Sequence, residues 1–139
     1  MAKVSIIYWS GTGNTEKMAL EIENGAKSKG YDVLLKDVND ANIEDAINCD
    51  VLLLGCSAMG SEELEQDEFQ PFFDNIKDQL SGKKVGIFGS YSWGDGEWLR
   101  TWQEELESLG SILVDEGLMV NSYPSDDDLK LCFDFGANI

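Results

Sequence analysis

The chain has 139 residues, 27 acidic and 10 basic, giving a formal net charge of −17, and 42% of it is hydrophobic. A charge that negative repels nucleic-acid backbones and anionic membrane surfaces, and it favours a basic protein partner reached through a long-range, salt-sensitive field. No apolar run approaches the roughly 18 residues of a membrane span, and the first residues lack the long apolar stretch and cleavage site of a signal peptide.

The length suits one domain over residues 1–139. Residues 4–8 (VSIIY) are short, apolar and β-branched and predict a buried strand. Residues 11–14 break it. Residues 15–29 then carry Met18, Ala19, Ile22 and Ala26 at helical spacing, and Gly30 stands where a glycine ends a helix. Residues 32–38 predict a second strand and 42–48 a short helix. Residues 51–55 (VLLLG) are the most apolar strand and therefore the central one. An acidic loop at 57–68 precedes a helix at 69–80 with Phe72, Phe73, Ile76 and Leu80 on one face. Residues 84–90 form the fourth strand, 91–96 a glycine-and-aromatic loop, and 97–109 a helix. Residues 112–120 contain the fifth strand, and 125–135 the last helix, with Ser125 as its N-cap.

Strand and helix alternate throughout. The pattern predicts an α/β fold: a five-stranded parallel sheet with helices on both faces and right-handed crossovers. In such sheets ligands bind beyond the carboxyl ends of the strands. With the strands in the order 2-1-3-4-5, the loops at 9–15, 57–63 and 91–97 are neighbours there.

The first of these loops is built for an anion. Ser10-Gly11-Thr12-Gly13-Asn14-Thr15 enters a helix, so backbone N–H groups, hydroxyls and a helix N-terminus converge on one spot. No charged residue lies between Trp9 and Thr15, so the cradle is made of dipoles. Rival phosphate motifs fail. A dinucleotide fingerprint needs glycine where Glu16 stands, and a Walker A loop needs Gly-Lys-Ser/Thr. A receiver domain needs acidic residues where Trp9-Ser10 and Gly55-Cys56-Ser57 stand. The chain has no histidine, which removes Ser-His-Asp and Cys-His nucleophiles. Its three cysteines (Cys49, Cys56 and Cys132) are odd in number and without a Cys-x-x-Cys pair. That pattern fits a reducing cytoplasmic compartment and neither a disulfide framework nor a zinc site.

At these residues the chain resembles a short-chain flavodoxin of the clostridial type over essentially its whole length. Tyr8-Trp9-Ser10-Gly11-Thr12-Gly13-Asn14-Thr15-Glu16 matches that family's FMN phosphate loop. Gly55-Cys56-Ser57-Ala58-Met59-Gly60 matches its first flavin loop, and Ser90-Tyr91-Ser92-Trp93-Gly94-Asp95-Gly96 its second. Residues 112–120 leave no room for the insertion of long-chain members. The resemblance implies a flavodoxin-like three-layer sandwich, bound FMN, a monomer, and electron transfer without substrate turnover.

It also implies roles. Trp93 covers the outer face of the flavin and Met59 the inner, one an aromatic stack and the other a soft thioether. Trp9 follows an apolar strand and is equally suited to core packing or cofactor contact. The peptide after Gly60 flips on one-electron reduction and accepts a hydrogen bond from flavin N5, which favours the neutral semiquinone. Ser61 stands where Asp or Gly is more usual. If it is the third residue of a type II turn it must take a positive φ, so it weakens that semiquinone. Ser92 also replaces a common glycine. Glu62 is placed at the flavin N3–H, Gly94 and Asp95 at the pyrimidine edge, and Ser57 and Ser90 at the phosphate or ribityl chain. Asn121 and Ser122 are weaker candidates.

Both flavin loops adjoin acidic runs, including Glu62, Glu63, Glu65, Asp67 and Glu68 on one side and Asp95 and Glu97 on the other. A carboxylate about 10 Å from reduced, anionic FMN costs about 0.4 kcal/mol even at the dielectric of water. This field predicts a low-potential donor that docks on basic surfaces of redox enzymes. The resemblance implies that it shuttles between semiquinone and hydroquinone in place of or beside ferredoxin, serving partners such as pyruvate oxidoreductases, other reductases or hydrogenases. An FMN-dependent NAD(P)H or quinone reductase is the alternative, disfavoured by short length and by repulsion of an anionic nucleotide. A domain that has lost FMN is a third, opposed by the intact loops.

Overall fold

The computed structural model describes residues 2–60 and 62–139. The expectation made for Ser61 falls outside them. The strands are β1 (Lys3–Trp9), β2 (Asp32–Asp37), β3 (Val51–Cys56), β4 (Lys84–Tyr91), β5 (Ile112–Leu113) and β6 (Leu118–Asn121). The helices are α1 (Asn14–Ser28), α2 (Ile43–Ile47), α3 (Phe69–Ile76), α4 (Glu97–Ser108) and α5 (Asp126–Ala137).

The strands of the sheet pair in parallel and the order is β2-β1-β3-β4-β5, as predicted, with β6 also on β4. The predicted fifth strand is thus two short ones. Ile112 and Leu113 pair with Lys84 and Val85, and Leu118–Asn121 rejoin β4 at Phe88–Tyr91. Between them the chain bulges at Asp115-Glu116-Gly117. Gly117 donates its N–H to Gln103 Oε1 at 2.8 Å, and a Cβ on it would meet Leu99 at 2.9 Å. An edge strand broken by charge and a bulge resists pairing with other chains.

The sheet is buried on both faces. On one, Ile7, Leu52, Leu54 and Ile87 pack against Ala46 of α2, Phe69 and Phe73 of α3, and Trp98, Trp102 and Leu106 of α4. On the other, Ile6, Tyr8, Leu53 and Phe88 pack against Met18 and Ile22 of α1 and Cys132 and Phe135 of α5. The buried positions of α3 are Phe69, Phe73 and Ile76, at i, i+4 and i+7; Phe72 is only partly buried. That helix ends at Ile76 and continues as a 3-10 turn before buried Leu80. Trp98 and Trp102 are core residues, and Trp102 meets Phe69 and Phe73 edge-on at 5.4 and 5.9 Å.

Helix ends follow local chemistry. Gly30 takes φ +85° just after α1, and Ser125 caps α5 in a reciprocal box with Asp128. The register aligns Tyr8 with Gly55 and Gly55 with Phe88, so Trp9, Cys56 and Tyr91 bring β1, β3 and β4 out at one edge.

Candidate functional site

At that edge lies an open cleft of about 330 Å³, lined by Trp9, Gly11, Thr12, Asn14, Ser57, Ala58, Met59, Ser90, Tyr91 and Ser92. All three loops named from the sequence contribute. A cleft of similar size, about 340 Å³, lies among β1, β2 and α2. Two of its polar side chains are engaged: Ser5 Oγ donates to the Asp45 carbonyl and Asp45 is paired with Lys36.

The loop between β1 and α1 is braced from within. Ser10 Oγ accepts the N–H groups of Gly13 and Glu16, both at 3.1 Å. Gly13, at φ +97°, turns the chain into the helix in a conformation that side chains rarely adopt. The first helical bond runs from Lys17 N–H to the Gly13 carbonyl. Among the described residues this leaves the amides of Asn14 and Thr15 without an acceptor, at the positive end of α1. The Thr12 and Asn14 side chains stand on the cleft wall beside them. An anion is the complementary ligand.

Thr15 is different. Its side chain is fully buried beneath the cleft. Its Oγ1 lies 2.6 Å from Ser57 Oγ and 3.1 Å from Ser90 Oγ, and it accepts the Ser90 N–H at 3.2 Å.

Trp9, for which core packing and site contact were both open, does both. It packs on the core cluster and lines the cleft, and a Cβ on Gly11 would lie 2.9 Å from its ring. Its indole N–H donates to Glu68 Oε1 at 2.8 Å.

The loop after β3 is a tight turn. Met59 and Glu63 exchange backbone hydrogen bonds at 2.9 and 2.8 Å, with Gly60 at φ +54° and Glu62 at φ +55° between them. The Ala58 N–H donates to the Ser90 carbonyl, tying this turn to β4. Met59 is 40% exposed and Trp93 53%, two large apolar side chains left at the surface in adjoining loops. Glu62 reaches the other loop: its Oε1 accepts the N–H groups of Gly96 and Glu97 at 3.1 and 3.0 Å, capping α4. Arg100 clasps Asp95 at both its carbonyl and its carboxylate, each at 2.9 Å. The cleft wall itself does not include Gly60, Glu62, Trp93, Gly94 or Asp95. Beyond β6, Ser122 has φ +62° and donates its N–H to the Tyr91 carbonyl at 2.7 Å, so Asn121 and Ser122 flank the second loop.

The sequence left Cys56 without a role. It is fully buried, and burial pushes its thiol up to about 12, so it stays protonated and unreactive. Burial also raises Tyr8, assisted by its hydrogen bond to Glu16. Sequence reasoning missed Glu65 within the acidic loop. It is 6% exposed, and its carboxylate accepts the N–H groups of Asp67, Glu68 and Phe69, so it caps α3. An acid just before an apolar-periodic helix was the available signal.

Known proteins share this architecture. The sequence-family model described as Flavodoxin matches residues 6–136. A flavodoxin of Clostridium beijerinckii is 48% identical over 136 residues, covering 98% of this chain and 98% of its own. One of Megasphaera elsdenii is 48% identical over 133 residues, covering 96% and 95%. The solution structure of two-electron reduced Megasphaera elsdenii flavodoxin matches at TM-score 0.86 and 45% identity, over 98% of this chain and 99% of that one.

Proposed function

Because the chain belongs to the flavodoxin family, whose members bind FMN and transfer electrons without being enzymes, we propose that its 139 residues act as one low-potential, one-electron carrier domain. It works between the one- and two-electron-reduced levels of FMN and serves redox enzymes in place of or beside ferredoxin. FMN supplies a ring that takes up and releases electrons singly. The remaining work falls to the protein.

The observation that carries the reading is the pairing of a charge-free anion cradle with a cleft continuous with two ring-side loops. The amides of Asn14 and Thr15, with the Thr12 and Asn14 side chains, suit the phosphate, and Ser10 and Gly13 hold them in place. Ala58, Tyr91 and Ser92 line the cleft beside the ring, and exposed Met59 and Trp93 supply its apolar faces. Gly60, Glu62, Gly94 and Asp95 form the rim. Glu62 Oε1 is committed to α4. Its second carboxylate oxygen is the one suited to a ring N–H.

Electrostatics sets the direction. Glu63 is bonded to Met59 and Glu68 to Trp9, both on the cleft wall, and Glu62 caps the helix that follows the second loop, beside Asp95 and Glu97, with Arg100 held by Asp95. Negative charge there opposes further electron uptake and so lowers the second reduction potential. It also suits basic docking surfaces on oxidoreductases, reductases or hydrogenases. Among the described residues no helix is long and apolar enough to cross a membrane. A reducing cytoplasmic setting agrees with the three free cysteines.

An anaerobic reductive titration with visible spectra tests the proposal. A bound-flavin spectrum passing through a long-wavelength intermediate, with a second potential that rises with salt, is expected. Direct two-electron bleaching with steady NAD(P)H oxidation would replace the carrier reading with a reductase.

A further inference from the structure

Strands β3 and β4 part where the cleft begins. Their register ends at Gly55 and Phe88, and beyond it the Ala58 N–H reaches the Ser90 carbonyl at 3.0 Å. The Cys56 carbonyl lies between these two ties. It fills the space that a side chain on Gly89 would need, since a Cβ there would come within 2.1 Å of its oxygen. A buried carbonyl requires a donor, and this one receives the indole N–H of Trp98 at 3.1 Å. The direction of that bond is fixed by chemistry, because an indole nitrogen only donates. Trp98 belongs to α4, which follows the second ring-side loop, and its ring lies 5.6 Å from that of Tyr91 on the cleft wall. One buried side chain thus holds the base of the first ring-side loop by its polar edge and the start of the second by its ring. Trp102, one turn further along α4, is equally buried in the same core cluster. Among the described residues its indole N–H has no acceptor.

We propose that Trp98 is a positioning residue for the cleft: its indole N–H holds the Cys56 carbonyl where β3 leaves β4, and so sets the gap between the 57–59 and 90–92 segments. The inference rests on the FMN reading of the cleft, in which the flavin ring enters that gap. Without the indole donor the Cys56 carbonyl must turn to find water or another N–H, and the first ring-side loop turns with it. The Ala58 bond to Ser90 lies two residues on and is the first to feel that change.

The test compares Trp98→Phe, which removes the N–H and keeps an aromatic ring in the core, with Trp102→Phe. The second variant makes the same change one turn away and removes no hydrogen bond. Each apoprotein is titrated with FMN and with riboflavin, which lacks the phosphate. Amide hydrogen exchange at Ala58 is followed as a ratio to that at Leu53, which is paired on both sides in β3 and reports global opening. Trp98→Phe should bind both flavins about tenfold more weakly than the parent, because a buried carbonyl loses its donor. Trp102→Phe should stay within about threefold of the parent for both. The Ala58 to Leu53 ratio should rise about tenfold in Trp98→Phe and hold in Trp102→Phe. Unchanged affinity in Trp98→Phe, or equal losses in the two variants, would overturn the inference by making Trp98 ordinary core packing. An unchanged exchange ratio in Trp98→Phe would overturn it as well, and so would a loss confined to FMN, which would place the effect at the phosphate. If the unsubstituted apoprotein binds neither flavin, the FMN reading fails by itself, and the exchange ratio still decides whether Trp98 spaces the two loops. Should Trp98→Phe not fold, β-(3-benzothienyl)alanine at position 98, an indole isostere with sulfur in place of the N–H, is read by the same outcomes.

Discussion

Glu62 accepts the backbone N–H of Gly96 at 3.1 Å through the same oxygen that takes the Glu97 N–H, so a residue of one cleft loop caps the helix that follows the other. Its carboxylate lies so close to Gly94 that a Cβ there would come within 2.5 Å of it. Two loops far apart in sequence are therefore one mechanical unit. Removing the cap with Glu62→Ala should cost about 1 kcal/mol of stability in urea unfolding. Glu62→Gly should cost less, because glycine takes the φ of +55° freely whereas alanine does not. Equal losses in the two variants would show that the backbone there is unstrained.

The surface position of Trp93 makes a contrasting prediction. At 53% exposure the ring contributes little to the apoprotein core. Trp93→Ala should leave apoprotein stability within about 0.5 kcal/mol of the parent. On the proposed reading it should weaken FMN binding by about tenfold or more, since an aromatic stack is lost. Fluorescence titration alongside urea unfolding measures both quantities on one sample.

Helices α1 and α5 approach through glycine. A Cβ on Gly136 would lie 2.1 Å from the Ile22 carbonyl oxygen, and one on Gly25 would lie 2.0 Å from that of Phe133. Gly136→Ala gains helix propensity of at most about 1 kcal/mol. It must nevertheless push two backbones apart, at a cost of about 1–3 kcal/mol or more. A lower Tm is expected; a raised one would mean that the helices separate without loss.

Asp45 links stability to pH. Its carboxyl lies below the ordinary carboxylate range, chiefly because it accepts the Asn42 N–H at 3.0 Å and also because it pairs with Lys36. A lowered folded-state value means that its contribution is present above the unfolded value, about 3.9, and is lost as pH falls through the folded value. Asp45→Asn should thus be less stable than the parent at pH 7, and the gap should close on acidification below about pH 4. A gap that persists at low pH would make the loss steric in origin.

Periodicity, glycine placement and loop composition were enough to order the elements and to name the three loops. Those signals are local: a buried strand must be apolar, a helix entry needs a turn, and an anion cradle needs amides and hydroxyls close together in the chain. The predicted fifth strand was divided because the bulge at residues 115–117 depends on Gln103 and Leu99, which come from α4. Phe69 replaced Phe72 on the buried face of α3 because the rotation of a short helix is set by what it packs against, here Trp102.

The sequence by itself determined the alternation of strands and helices, the dipolar phosphate loop, the acidic surroundings and the family resemblance, since each is written in neighbouring residues. Only the tertiary structure decided how the cleft is held together. Thr15 reaches Ser57 and Ser90, Glu62 reaches Gly96, and Trp9 reaches Glu68, across separations of 34 to 75 positions. Such bonds exist because the parallel register brings the ends of β1, β3 and β4 to one edge, and no local pattern encodes which donor there meets which acceptor.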